Sequence, residues 1–188
     1  MIEIHQAIFG QGRDPGHSLL KSSYDKDTIA NQLSGYTDLV DRPLNGTLSK
    51  PIVRGFIIKE HFLLIKYFPD FKGRPGRVFS HAIIIKKEDY LRVKDISDLL
   101  YYHLSIIDKH FDPKVIHYEN NPETTIIHHD NRTSNATNAL INHIDNNNAI
   151  VWIGETGYWN WISNIWPQLP DLVKENIKLG NAFNAKLK

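Results

Sequence analysis

Three histidines carry the side chains best suited to proton transfer near neutral pH: His5, His17 and His81. Each lies in or beside one of two polar islands. The first runs from His5 to Ser23 and holds Gly10, Gly12, Arg13, Asp14, Pro15 and Gly16; the second is Gly73-Arg74-Pro75-Gly76-Arg77-Val78-Phe79-Ser80-His81. A site drawn from both would use His17 and His81 as acid and base. Asp14 and Asp70 would orient the imidazoles, and Arg77 would hold an anionic oxygen. That is the chemistry of a phosphoester or nucleotide hydrolase. A two-histidine phosphoesterase wants a histidine two residues before Ser or Thr on each of two strands, and only His103-Leu104-Ser105 has that form, within a predicted helix.

The other chemical signals are weaker. Gly10, Gly12 and Gly16 follow an apolar run, as a phosphate-cradling loop would, but a dinucleotide fingerprint needs its third glycine one position earlier. Pro15 also removes an amide donor, and no Lys-Ser or Lys-Thr pair follows. His128-His129-Asp130 places neighbouring residues on opposite faces of a strand, which does not assemble a metal site. His103 and His143 fall on apolar helical stripes and read as core histidines. Ser22 and Ser23 lack the context of a hydrolase nucleophile. The chain has no cysteine, which excludes a disulfide framework, a thiolate zinc site and a cysteine nucleophile. No cofactor and no metal are expected.

The elements that must position these residues follow from hydrophobic period. Ile2 to Phe9 reads as a strand running into the first Gly-rich island. Asp27 caps a short helix through Leu33, ended by Gly35, and Asp38 to Lys50 is a turn-rich loop. Ile52–Ile58 and Phe62–Phe68 flank Lys59-Glu60-His61 as a β-hairpin. Arg77 to Ile85 alternates Phe79, His81, Ile83 and Ile85 with Val78, Ser80, Ala82 and Ile84, and both sets suit a buried central strand.

Asp95–Asp108 and Ser134–Asp145 show helical periodicity, Lys114–Tyr118 and Thr124–His128 suit a strand pair, and Ala149–Gly154 suits a short buried strand. Pro170 opens a last helix running toward Leu179. Strands interleaved with helices, with at least one hairpin, predict an α+β fold over residues 1–188. It is a single domain with a mixed or mainly antiparallel sheet and packed helices.

Composition bounds the partners. Of 188 residues, 22 are basic and 21 acidic, giving a formal charge of +1 that supplies no field for nucleic acid or an anionic membrane. The N-terminus has no signal-like pattern and no run is long enough to span a membrane, so a soluble, cytoplasmic protein is expected. A nucleic-acid-binding module would rest on Arg74, Arg77 and the tryptophans near the C-terminus. Trp159, Ile162 and Trp166 recur at helical spacing and point inward, which leaves Trp161 as the candidate for exposure.

The order of short motifs resembles a known family. His5-Gln6-Ala7 with Gly10, then Gly16-His17-Ser18-Leu19-Leu20-Lys21-Ser22-Ser23, then Phe79-Ser80-His81-Ala82-Ile83, are similar to the N-terminal domain of bacterial GTPase-associated proteins. Trp166-Pro167-Gln168-Leu169-Pro170 is similar to that family's Trp-Pro-Xaa-Leu-Pro element. The resemblance implies an accessory domain encoded beside GTPases or other NTPases in bacterial conflict systems, acting as an adaptor and not as an enzyme. Family members usually continue into further domains. The expected partner is a protein, either an NTPase or a larger conflict-system subunit. The expected binding surface comprises Gln6, Gly12, Arg13, Asp14, His17, Arg74, Arg77 and His81.

Overall fold

The computed structural model describes residues 1–12, 16–25, 29–38, 50–71, 77–106, 108, 110–120, 131–143 and 157–180. Its frame is a seven-stranded sheet in the order β2-β1-β5-β4-β3-β7, with β6 added on β1. The strands are β1 (Ile2–Gln11), β2 (His17–Ser22), β3 (Ile52–Ile58), β4 (His61–Pro69), β5 (Val78–Lys86), β6 (Ile116–Tyr118) and β7 (Leu179–Gly180). Every described pairing is antiparallel, as the α+β reading requires.

The β3–β4 hairpin turns on Lys59 and Glu60, with Lys59 at a φ of 51°. β5 is the central strand, flanked by β1 and β4, and eight consecutive residues from Val78 to Ile85 are buried. Such a run without polar breaks is what burial on both faces demands.

Cross-strand register sorts the sheet into two faces. On the first, Ile2, Ile4, Ile83, Ile85, Phe62, Leu64 and Val53 pack under helices, meeting Tyr90, Ile96, Leu99, Trp161, Ile162 and Trp166. The helices over this face are α3 (Lys87–Leu91), α4 (Asn131–His143), α5 (Tyr158–Ile165) and α6 (Asp171–Asn176), with a 3-10 turn at Ile96–Tyr102. Phe62 and Tyr90 stack with ring centres 3.8 Å apart. On the second face, Ala7, Phe9, Leu63, Ile65, Tyr67, Ala82 and Ile84 pack beneath the short α1 (Ile29–Gln32) and α2 (Ser34–Thr37) and the Leu33 between them.

Several expectations need correction. The helix expected through Leu33 is two short pieces, and Gly35 lies inside the second instead of ending the first. The fourteen-residue helix expected over Asp95–Asp108 is a 3-10 turn that stops at Tyr102, because His103 is extended (ψ 141°) and carries the backbone back toward the sheet. The strand at 114–118 pairs with β1, and its expected mate at 124–128 lies outside the described residues, as does the strand expected at 149–154. The last helix ends at Asn176, and Leu179 instead joins the sheet beside β3. Trp161 is 3% exposed and donates its indole N–H to Thr137 Oγ1 at 3.0 Å, so it is not an outward-facing aromatic.

Candidate functional site

The two polar islands adjoin. β1 and β5 pair through Phe9↔Ser80 and Ile8↔His81, so the last residues of β1 and of β4 and the first of β2 and β5 lie at the same end of the sheet. Gly10 and Phe79 interlock there: a Cβ on Gly10 would overlap the Phe79 ring and sit 3.3 Å from Leu20 Cδ1. Gly12 is exposed and Arg77 is half-buried, its carbonyl accepting from the Asp70 N–H at 3.0 Å. Arg13, Asp14 and Arg74 lie outside the described residues.

Gln6 and His81 project from the first face and bind each other. His81 Nε2 lies 3.1 Å from Gln6 Oε1, while Gln6 Nε2 donates to the Lys114 carbonyl at 2.8 Å. That donation fixes the amide orientation, so His81 Nε2 must carry the hydrogen. His81 Nδ1 is then an acceptor, and it receives the Leu104 N–H at 3.2 Å. His103 Nδ1 lies 3.3 Å from the same atom. Lys66 Nζ reaches the Leu104 carbonyl at 3.0 Å. Burial, helped by the Lys66 charge, pushes the His81 imidazole down to about 4. His103 is pushed well down too, by burial first and then by the neighbouring His81 ring and the Lys66 charge. These are neutral imidazoles locked in place, with no polar atom of His81 left for a substrate.

His17 stands on the opposite face. Its ring stacks on Phe9, with Nε2 3.1 Å from Thr37 Oγ1 and Nδ1 4.0 Å from Asp38 Oδ1. A hydroxyl, an imidazole and a carboxylate in line have the composition of an activated nucleophile. The protons are wrongly placed for it: Thr37 is buried and donates its own hydroxyl to the Ser34 carbonyl at 2.9 Å, so His17 Nε2 must donate to Thr37. Burial lowers the His17 pKa, with Asp38 opposing that shift. The arrangement fastens β2 to the end of α2, and Ser80 adds to it by donating to the Thr37 carbonyl at 2.5 Å.

His5 lies on the second face as well, with its ring edge-on to Tyr24 at 4.4 Å; Tyr24 in turn bonds His61 Nε2 at 3.1 Å. Burial lowers the pKa of both His5 and His61. His5, His17 and His81 therefore do not converge on one pocket, and the acid–base pair expected of His17 and His81 is divided by the sheet itself. Among the described residues no group of three or more His, Asp or Glu is placed to hold a metal ion.

Ser22 and Ser23 also serve the frame. Ser23 Oγ accepts the Gln6 N–H and the Ser23 N–H returns to the Gln6 carbonyl, both at 2.9 Å; Ser22 Oγ accepts the Tyr24 N–H at the same distance. Two contributors to the first-face cluster had no place in the sequence reading, Lys66 and Phe111, whose ring meets His81 edge-on at 5.7 Å. Lys66 had a visible signal: it is the one charge inside the apolar run Phe62–Phe68.

The described residues thus define an antiparallel α+β sheet domain whose motif side chains are engaged internally. Residues 3–103 match the family model of GTPase-associated protein 1, N-terminal domain type 1, and the chain belongs to that family. The match takes in both polar islands and ends at His103, so the Trp166–Pro170 element lies beyond it. No curated protein and no solved structure matches the chain. No helix among the described residues is long and apolar enough to cross a membrane.

Proposed function

We propose that residues 1–188 act as one non-enzymatic adaptor domain of a bacterial conflict (anti-phage defence) system, docking in the cytoplasm onto a GTPase or another NTPase. The observation that carries this reading is the engagement of the motif side chains. Gln6, Ser22, Ser23 and His81, the residues that mark the family resemblance, all bond to main chain or to each other inside the protein. A motif built that way defines a shape and not a reaction, and the family's description as GTPase-associated supports a protein partner. The docking surface in this reading draws on Gly12, Arg13, Asp14, His17, Arg74 and Arg77, of which Gly12, His17 and Arg77 are among the described residues; Gln6 and His81, also expected on it, are buried.

The test is affinity capture from a native-host lysate with the full chain, read by mass spectrometry. It is repeated with Arg13→Ala, Arg74→Ala and Arg77→Ala combined, after circular dichroism shows an unchanged fold. An NTPase captured by the parent and lost from the triple variant supports the reading. Capture of no specific NTPase, or capture that the triple variant retains, overturns it.

A further inference from the structure

The described residues of the segment 103–114 cross the first face of the sheet without a ladder of their own. They make no strand and no α-helix. Side chains from four strands hold this segment by its main chain: Gln6 of β1 on the Lys114 carbonyl, Lys21 of β2 on the His110 carbonyl, Lys66 of β4 on the Leu104 carbonyl, and His81 of β5 on the Leu104 N–H. Two buried imidazoles belong to the arrangement, His81 and His103, which meet at 3.3 Å between their Nδ1 atoms.

The bond from Leu104 to His81 works in one protonation state of the ring. His81 Nδ1 has a single lone pair, and it accepts the Leu104 N–H. A proton on His81 Nδ1 would occupy that lone pair and set its N–H against the Leu104 N–H. A charged His103 would carry a hydrogen on Nε2, a buried atom with no hydrogen-bond partner among the described residues. Either charge would also face the Lys66 ammonium, the charged group that acts on both rings. From β1 the pair meets the neutral Gln6 amide, and Lys21 of β2 reaches the strap at His110. Among the strap's described residues, the other ionisable side chains, Asp108, His110, Asp112 and Lys114, are exposed.

We propose that residues 103–114 form a releasable strap, latched by the neutral His81–His103 pair and let go when that pair takes up a proton, while the sheet beneath stays folded. Release uncovers Gln6, Lys66 and His81 on a face whose remaining contacts, from Ile2 to Trp166, belong to the helix-covered core and do not depend on the strap. Strap release is independent of the adaptor reading, since it concerns this chain alone.

Hydrogen exchange of the full chain, followed by mass spectrometry at pH 7 and pH 5 and corrected for intrinsic rates, tests it. With His81 at about 4 when latched and 6.5 when free, the opening equilibrium of the strap should rise roughly twenty-fold between these conditions. Peptides spanning 103–114 should lose protection by that factor while those of β1 and β5 keep theirs. His81→Asn retains an acceptor for Leu104 but cannot be charged, and should remove the His81 share of the acid response, leaving only that of His103. Should it fail to fold, Lys66→Met serves instead: it removes the charge that adds to burial in resisting protonation and should shrink the response. Strap protection that is equal at the two pH values, that falls together with β1 and β5, or that responds unchanged in the folded variants overturns the proposal.

Discussion

The Phe79 ring fills the space that a side chain on Gly10 would need, so the strand end of one polar island is keyed into that of the other. Phe79 is 5% exposed and has little room to retreat. Gly10→Ala should therefore cost about 1–3 kcal/mol through overpacking. Gly35 lies inside α2, where an added Cβ would meet nothing within 4 Å, and it is the control: Gly35→Ala should be neutral or slightly stabilising. Urea unfolding of the two variants checks the difference; equal midpoints would show that Phe79 yields freely.

Two buried tryptophans should respond unequally to loss of the indole N–H. Trp166 is fully buried and donates to the Val93 carbonyl at 3.0 Å, so Trp166→Phe strands that carbonyl in the core and should cost about 1–3 kcal/mol beyond the lost packing. Trp161 donates to Thr137 Oγ1, but that hydroxyl still bonds the Thr133 carbonyl at 2.8 Å when the indole is gone. Trp161→Phe should be the milder change, read as a smaller shift in urea midpoint.

What was legible in the sequence is what local period can carry. The alternation in Val78–Ile85 placed every side chain of the central strand on its correct face, because successive strand side chains alternate faces, and the apolar runs around Lys59-Glu60 gave the hairpin. The 3-10 turn at 96–102 was hidden for the opposite reason. Its apolar spacing continues helically to Ile107, and what ends it is a hydrogen bond from Leu104 to His81, 23 positions earlier in the chain. Trp161 failed similarly: its position off the helical stripe suggested solvent, but Thr137 on α4 offers its indole a partner. For the histidines, residue type named the candidates, while the face of the sheet on which each one stands depended on register across β1, β2 and β5.

Lys174 is a cation whose charge matters less than its stem. Its side chain is 8% exposed, with Nζ 5.7 Å from the Trp166 ring centre and 3.8 Å from the carboxylate of Asp171, which is itself 68% exposed. A pair so open at one end contributes little, whereas the buried methylenes pack. Lys174→Met should stay within about 1 kcal/mol of the parent, and Lys174→Glu, which buries a carboxylate beside Asp171, should be markedly less stable. Thermal unfolding of both variants distinguishes packing from charge; a large loss in the methionine variant would make the ammonium the stabilising part.

Acid should destabilise the whole fold in a defined window. His81 is lowered from 6.5 to about 4 by burial and the Lys66 charge, and His5, His17, His61 and His103 are lowered in the same direction, chiefly by burial. A histidine lowered in the folded state binds protons more weakly there than in the unfolded chain. Below 6.5 the unfolded state therefore binds more protons, and stability falls as pH falls, levelling for His81 near 4. Held in its latch, His81 alone accounts for about 3 kcal/mol across that interval. Opening of the strap would relieve part of this cost, so His81→Asn should shrink the acid loss without removing the share of His5, His17 and His61 on the other face. Urea midpoints at pH 7.5, 6 and 4.5, in parent and variant, measure both quantities. Stability that is flat between pH 7.5 and 4.5 would mean that these imidazoles are charged, or solvated, in the folded protein.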